Sequence, residues 1–271
     1  MESLPPELTF ALEDGVGILT LNRPDKRNAL TTEMYASLRD VLQVVNQDDE
    51  VKVLVVTGTG TSFCAGSDIE TRLLSRISNG QYVPLEKNRA ELLEPVMLYL
   101  APALYNLNKP SIAAINGTAA GAGLSIALLC DFRIASEKAK FVASWLNVGL
   151  TPDVGATFSL PRIIGVDKAL KLFLTGEAID AREAERINLV TEVVPHDSLM
   201  KETMELATKI AAGPSLAIEL AKRAVYKGIT SGLISQLHFE TYAQNICFMS
   251  GDFREGVRAF LEKRPPRFEG R

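Results

Sequence analysis

From Phe10 to Leu21 apolar residues alternate with polar or small ones, and the break at Asp14-Gly15 predicts two strands around a tight turn. After the basic loop Asn22 to Asn28 the period changes. Leu38, Val41, Leu42 and Val45 recur at helical spacing, which predicts a helix from Thr31 or Thr32 to about Val45. Val51 to Thr57 reads as a buried strand, closed by the breaker Gly58-Thr59-Gly60-Thr61-Ser62. Residues 75–90, with Asn79-Gly80 and Pro84, read as a mobile loop, and Arg89 to Leu107 as a helix. Ser111 to Asn116 is a second apolar strand, broken by Gly117, Gly121 and Gly123, and Leu124 to Cys130 reads as a helix. Short strands are predicted at Phe132–Ala135 and Lys140–Val142, helices over 161–175 and 181–187, and a strand from Leu189 to Val194. From Ser198 onward the pattern is helical. Strand and helix thus alternate to about residue 195. The fold class is α/β, with a core over 1–195 and a helical region over 196–271 that no Ser/Gly-rich linker separates from it.

Composition narrows the partners. Lys plus Arg is 29 against 33 for Asp plus Glu, a net charge of −4, and no basic stripe is visible. This excludes a general nucleic-acid or membrane-surface binder, so any polyanionic ligand must meet positive charge supplied locally. Cys64, Cys130 and Cys247 fit neither a disulfide framework nor a zinc pattern, and read as free thiols. No metal or separate cofactor is implied. Met1 to Thr9 lacks an export signal, no apolar run could span a bilayer, and Glu269-Gly270-Arg271 is not a peroxisomal address. A cytoplasmic location is expected.

Two segments share a design of apolar strand, small-residue turn and helix. One runs from Val53 to Thr57 and then Phe63-Cys64-Ala65-Gly66-Ser67-Asp68-Ile69; the other from Ile112 to Asn116 and then Gly117-Thr118-Ala119-Ala120-Gly121-Ala122-Gly123. Small residues let a ligand approach the backbone, and a helix start presents unpaired N–H groups. Two such groups on one oxygen would make an oxyanion hole. The same glycines could equally serve tight turns and close packing. Neither segment is a phosphate loop or a dinucleotide fingerprint.

Together the segments resemble the crotonase superfamily, the enoyl-CoA hydratase/isomerase fold. The likeness includes Leu21-Asn22-Arg23-Pro24 with Arg27-Asn28-Ala29-Leu30, the Phe63–Asp68 segment, Lys109-Pro110, Ala113–Gly117, Cys130-Asp131, Leu174-Thr175-Gly176, Ala181, Ala184 and Gly213-Pro214. It implies a spiral of ββα units and a C-terminal helical region that forms trimers, often paired into hexamers. It also implies an acyl-CoA thioester, with CoA as part of the substrate, whose carbonyl lies between the N–H groups of Ser67 and Ala122. Lys26 and Arg27 fall where the family places basic residues near the phosphates. Ala29, Ala65, Asp68, Ile69 and Gly121 fall along the CoA and pantetheine channel, although Asp68 could equally be a local cap. Lys263 and Arg264 could reach a neighbouring subunit's CoA.

The reaction follows from the side chains around that hole. The two glutamates of hydratases align with Ser125 and Trp145, and neither can hold the negative charge that placing and splitting water requires. Asp153, in Thr151-Pro152-Asp153-Val154-Gly155, aligns with the acid of isomerase branches. Ring-1,2-epoxyphenylacetyl-CoA isomerases carry Pro-Asp before a glycine turn with an aromatic at the Trp145 position, and some Δ3,Δ2-enoyl-CoA isomerases place glutamate at Asp153. The resemblance therefore implies an isomerase in which Asp153 shuttles a proton. Trp145, Val148, Val154 and Phe158 are expected to make the surroundings of Asp153 apolar and raise its pKa, with Trp145 as a pocket wall. Three alternatives stay open. They are residual hydration, a 4-chlorobenzoyl-CoA-type dehalogenase (whose helical histidine falls at Leu98), and a non-catalytic acyl-CoA binder.

Overall fold

The computed structural model describes residues 4–74 and 95–270. Alternating apolar residues form the antiparallel hairpin β1 (Leu8–Glu13) and β2 (Val16–Leu21). Helix α1 (Thr32–Gln47) starts where Thr31 accepts the Met34 N–H, and its apolar stripe buries Met34, Tyr35, Leu38, Val41, Leu42 and Val45. There follow β3 (Val53–Gly58), β4 (Ser62–Cys64), a π-helical turn Ile69–Leu74, α2 (Pro95–Tyr105), β5 (Ser111–Ile115), β6 (Thr118–Ala120), α3 (Ala122–Leu129), β7 (Phe132–Ser136) and β8 (Lys140–Val142). The chain continues through α4 (Ala156–Ile164), α5 (Val166–Thr175), β9 (Ala178–Asp180), α6 (Ala181–Arg186), β10 (Glu192–Val194), α7 (Leu199–Ala211), α8 (Ser215–Gly228), α9 (Leu233–Phe248) and α10 (Gly251–Glu262).

The larger sheet has the order β1-β2-β3-β5-β7-β10 and is parallel except at the hairpin; the smaller has the order β4-β6-β8-β9. β3, β5 and β7 each pass the chain to a strand of the smaller sheet, β4, β6 and β8, before a helix follows. This is the ββα spiral that the resemblance implies. β3 is paired on both edges and covered on both faces, which is why it is apolar throughout. Leu54 and Val56 enter the main core, while Val53 and Val55 pack with Leu199 and Ala207 of α7 on the opposite face.

The structure differs from the pattern reading in places. The predicted helix over 161–175 is two helices, parted at Gly165, which takes φ 85°. Leu189 and Val190 are core residues but not strand; only Glu192–Val194 pairs, with β7. β4, β6 and β9 were not expected, because each is three residues long and lies in a breaker, a glycine turn or a connection between helices. The loop expected at 75–90 and the helix start expected at Arg89 lie outside the described residues. All three cysteines are free, and burial pushes the Cys64 and Cys130 thiols up to about 12.

Candidate active site

The two small-residue turns meet. Leu30 forms an isolated parallel bridge to Ser67, in which the Leu30 N–H donates to the Gly66 carbonyl at 2.8 Å and the Asp68 N–H donates to the Leu30 carbonyl at 2.9 Å. A parallel bridge of this kind uses the groups of the two flanking residues. The N–H of Ser67 itself is therefore not used by the bridge and lies on the side of the strand away from Leu30. In the second turn Ala122 is the first residue of α3, whose N–H has no partner within the helix. Gly66 takes φ 97°, and a Cβ on it would lie 2.9 Å from the Ala120 carbonyl oxygen and 3.5 Å from the Ala122 nitrogen. Gly123 holds α3 against β4: a Cβ there would sit 2.3 Å from the Cys64 carbonyl oxygen. The glycines thus serve close packing, and that packing sets the turn that carries Ser67 against the turn that carries Ala122.

Both turns open on a cleft of about 760 Å³, lined by Ser67, Gly121, Ala122, Trp145 and Asp153 among others. Among its described lining residues Asp153 is the one carboxylate. Hydrogen bonds to its carboxylate and to its backbone carbonyl help to hold it. The Trp145 indole Nε1–H donates to Asp153 Oδ1 at 2.8 Å. The Ser125 hydroxyl donates to the Asp153 carbonyl at 2.9 Å, and the Ala156 N–H donates to that carbonyl at 3.0 Å. Val154 beside it takes φ 49°, rare for a β-branched residue, a conformation that costs about 1–3 kcal/mol and persists only where its surroundings impose it. Trp145 is thus a wall and also the donor that orients the acid, and the indole is itself braced edge-on by Phe173 at 6.0 Å.

Other expected residues divide. Ala65, Ile69 and Gly121 line the cleft. Ala29 does not; it is buried, and its carbonyl accepts from Arg23 Nη1. Asp68 does not line the cleft and is instead the local cap: its buried carboxylate pairs with Arg23 at 2.5 Å and caps the Ile69–Leu74 turn through the Thr71 N–H and hydroxyl. Burial works to raise the Asp68 carboxyl, but the Thr71 bonds and the Arg23 guanidinium outweigh it and hold the group below its usual range. Lys26 and Arg27 are exposed and do not line the cleft; Lys26 pairs with Glu70 at 2.9 Å, and the Arg27 carbonyl accepts the N–H of the cleft residue Ala65. Phe158 is not a cleft residue; it packs edge-on against Tyr105 and under the Arg162 guanidinium. Arg264 is tied within its own chain to Glu255 and Glu262. The pattern reading missed Arg72, which lines the cleft, and Tyr35, whose hydroxyl lies 2.9 Å from Ser67 Oγ. A tyrosine within the apolar stripe of α1 reads as packing, and nothing in the sequence marks its hydroxyl as the part that reaches the site. Among the described residues no set of three or more His, Cys, Asp or Glu groups together as for a metal.

Residues 11–271 match the family described as enoyl-CoA hydratase/isomerase. The chain belongs to the enoyl-CoA hydratase/isomerase family. It is 38% identical to the 1,2-epoxyphenylacetyl-CoA isomerase of Escherichia coli (strain K12) over 96% of this chain and 97% of that protein. It is 36% identical to the crotonyl-CoA hydratase of Syntrophomonas wolfei, over 94% of this chain and 95% of that protein. The crystal structure of an enoyl-CoA hydratase from Bacillus anthracis superposes with a TM-score of 0.88 at 34% identity, covering 98% of this chain and all of that one. The family spans both reaction types, so the cleft's own side chains must distinguish them. Among the described residues no helix is long and apolar enough to cross a membrane.

Proposed function

We propose that this family member is an acyl-CoA isomerase that shifts a double bond, or opens a ring epoxide, by proton transfer through Asp153. The observation that carries the proposal is the Asp153 carboxylate, oriented by Trp145 in the cleft that Ser67 and Ala122 also line. In the double-bond reaction the Ser67 and Ala122 N–H groups donate to the thioester oxygen. Asp153 takes a proton from C2 of a 3-enoyl-CoA, and the C–H electron pair spreads into a dienolate that those donors stabilise. The same carboxyl then returns the proton at C4, leaving the 2-enoyl thioester. One acid suffices because it is base and then acid. Hydration is disfavoured on a specific ground. The Ser125 hydroxyl is committed to the Asp153 carbonyl, and the Trp145 indole can only donate. The name of the Escherichia coli relative, 1,2-epoxyphenylacetyl-CoA isomerase, supports the epoxide-opening form.

CoA enters as part of the substrate, and the chemistry runs on the chain's own groups. Lys26 and Arg27 offer positive charge to its phosphates, and Ala65 and Ile69 face its pantetheine arm. The protein assembles as a homotrimer or a pair of trimers. Exposed apolar side chains on the last helices and an apolar groove of about 470 Å³ among Leu216, Phe253, Val257, Phe260 and Phe268 support this. Conversion of trans-3-enoyl-CoA to the 2-enoyl form, compared between wild type and Asp153→Asn, tests the mechanism. A loss of at least about 100-fold is expected; equal rates would remove Asp153 from it.

A further inference from the structure

We propose that Ser67 supplies a second donor to the thioester oxygen, its side-chain hydroxyl, and that Tyr35 is the positioning residue that aims it. The proposal rests on the acyl-CoA reading of the cleft. Tyr35 is fully buried on α1, on a face otherwise apolar, and among the described residues its hydroxyl has Ser67 Oγ, 2.9 Å away, as its one hydrogen-bond partner. The Arg72 guanidinium lies over its ring, 4.4 Å from the centroid. Arg72 and Ser67 line the cleft, while Tyr35 stands behind Ser67.

Two hydroxyls sharing one hydrogen bond leave one proton over. If Ser67 donated to Tyr35, the leftover proton would be the phenol's, buried with no acceptor, which is strongly unfavourable. If Tyr35 donates, the leftover proton belongs to Ser67 and faces the open cleft. The phenol is fit for that role. Burial first, and then the negative charge of Asp153, hold it far above its ordinary range against the lowering effect of the Ser67 bond, so it stays protonated. The N–H of Ser67 is not used by the bridge to Leu30, which takes only the flanking residues' groups, and Ser67 lines the same cleft. One oxygen accepting from that N–H lies within reach of the hydroxyl of the same residue. Tyr35 thus does not touch substrate. It fixes the direction in which Ser67 donates.

A conjugated 2,4-dienoyl-CoA reports this directly, since polarising its thioester carbonyl narrows the π gap and shifts its absorbance to the red. Wild type, Ser67→Ala, Tyr35→Phe and Ser67→Thr are each saturated with it, and each is assayed on trans-3-enoyl-CoA. We expect Ser67→Ala and Tyr35→Phe to bind with similar affinity but a smaller red shift. Their kcat should fall roughly 10- to 100-fold with KM little changed, and Ser67→Thr should restore most of both. A full red shift in Ser67→Ala overturns the second donor, and a full shift in Tyr35→Phe overturns the positioning role. Wild-type protein that binds no dienoyl thioester overturns the acyl-CoA reading and this proposal with it. The red shift needs no turnover, so the fate of Asp153 in the isomerase assay is judged separately.

Discussion

Trp145 stands where it can only donate, and it donates to the one acid that lines the cleft among the described residues. Replacing it with Phe keeps an aromatic wall and removes the N–H. Because the lost contact orients a reacting group rather than binding the thioester, kcat should fall about 10-fold while KM for a 3-enoyl-CoA changes little. Steady-state kinetics on Trp145→Phe checks this, and a rise in KM alone would make Trp145 a binding wall only. Asp153, Ser67 and Ala122 were reached through the resemblance, position by position, since the turns that carry them read equally well as tight turns and caps; the structure places all three on the lining of one cleft. The Trp145 contact was not reached that way, since an indole eight residues before an acid carries no pattern that distinguishes a wall from a donor. Tyr35 was hidden for the opposite reason: its ring satisfies the apolar stripe of α1, and only the direction of its hydroxyl reveals a role.

At the scale of elements, the short Ile69–Leu74 turn decides where Ile69 and Arg72 meet the cleft, and Asp68 is what starts it. Periodicity could not find this turn, because six residues give no full repeat and its cap is a carboxylate that looks like a surface charge. β4, β6 and β9 were hidden by the breaker, glycine turn and helix connection in which they lie, whereas α1 and β3 were plain from their stripes. The Arg23 pair and the Thr71 bonds hold the folded-state pKa of Asp68 below its unfolded value. Its contribution to stability is therefore present at pH values above the unfolded carboxyl pKa of about 4 and is lost as pH falls through the folded value. Asp68→Asn keeps an acceptor for Thr71 but loses the charge. It should cost about 2 kcal/mol at neutral pH, in the range for a hydrogen bond to a charged group, and the gap from wild type should close at an acid pH below the folded value. Denaturant unfolding at the two pH values measures it, and a gap independent of pH would show that the charge contributes nothing.

Over the whole molecule the C-terminal helices have two unlike sides. Their inner side is fixed by charge: Asp131 pairs with Lys222 at 2.7 Å, accepts the Tyr226 hydroxyl at 2.7 Å, and accepts the N–H and hydroxyl of Ser111, while Lys109 pairs with Glu219. Their outer side leaves Val225, Leu233, Ile234, Phe260 and Leu261 to solvent, with Phe260 83% and Leu261 73% exposed in the single chain. The alternation of strand and helix, then helices alone, was readable from periodicity. Which sheet each strand joins was not, because a strand's pattern records that a face is buried and not its neighbour. The two-sided build separates folding from assembly. The charged inner cluster ties the helices to their own core, so changing the outer face should break association and spare the subunit. Phe260→Asp combined with Leu261→Asp should sediment at one chain mass with the far-ultraviolet circular dichroism of wild type, while wild type sediments at three or six chain masses. A wild-type protein that sediments as a single chain at micromolar concentration would exclude the proposed trimer, and the outer apolar face would then need a different occupant.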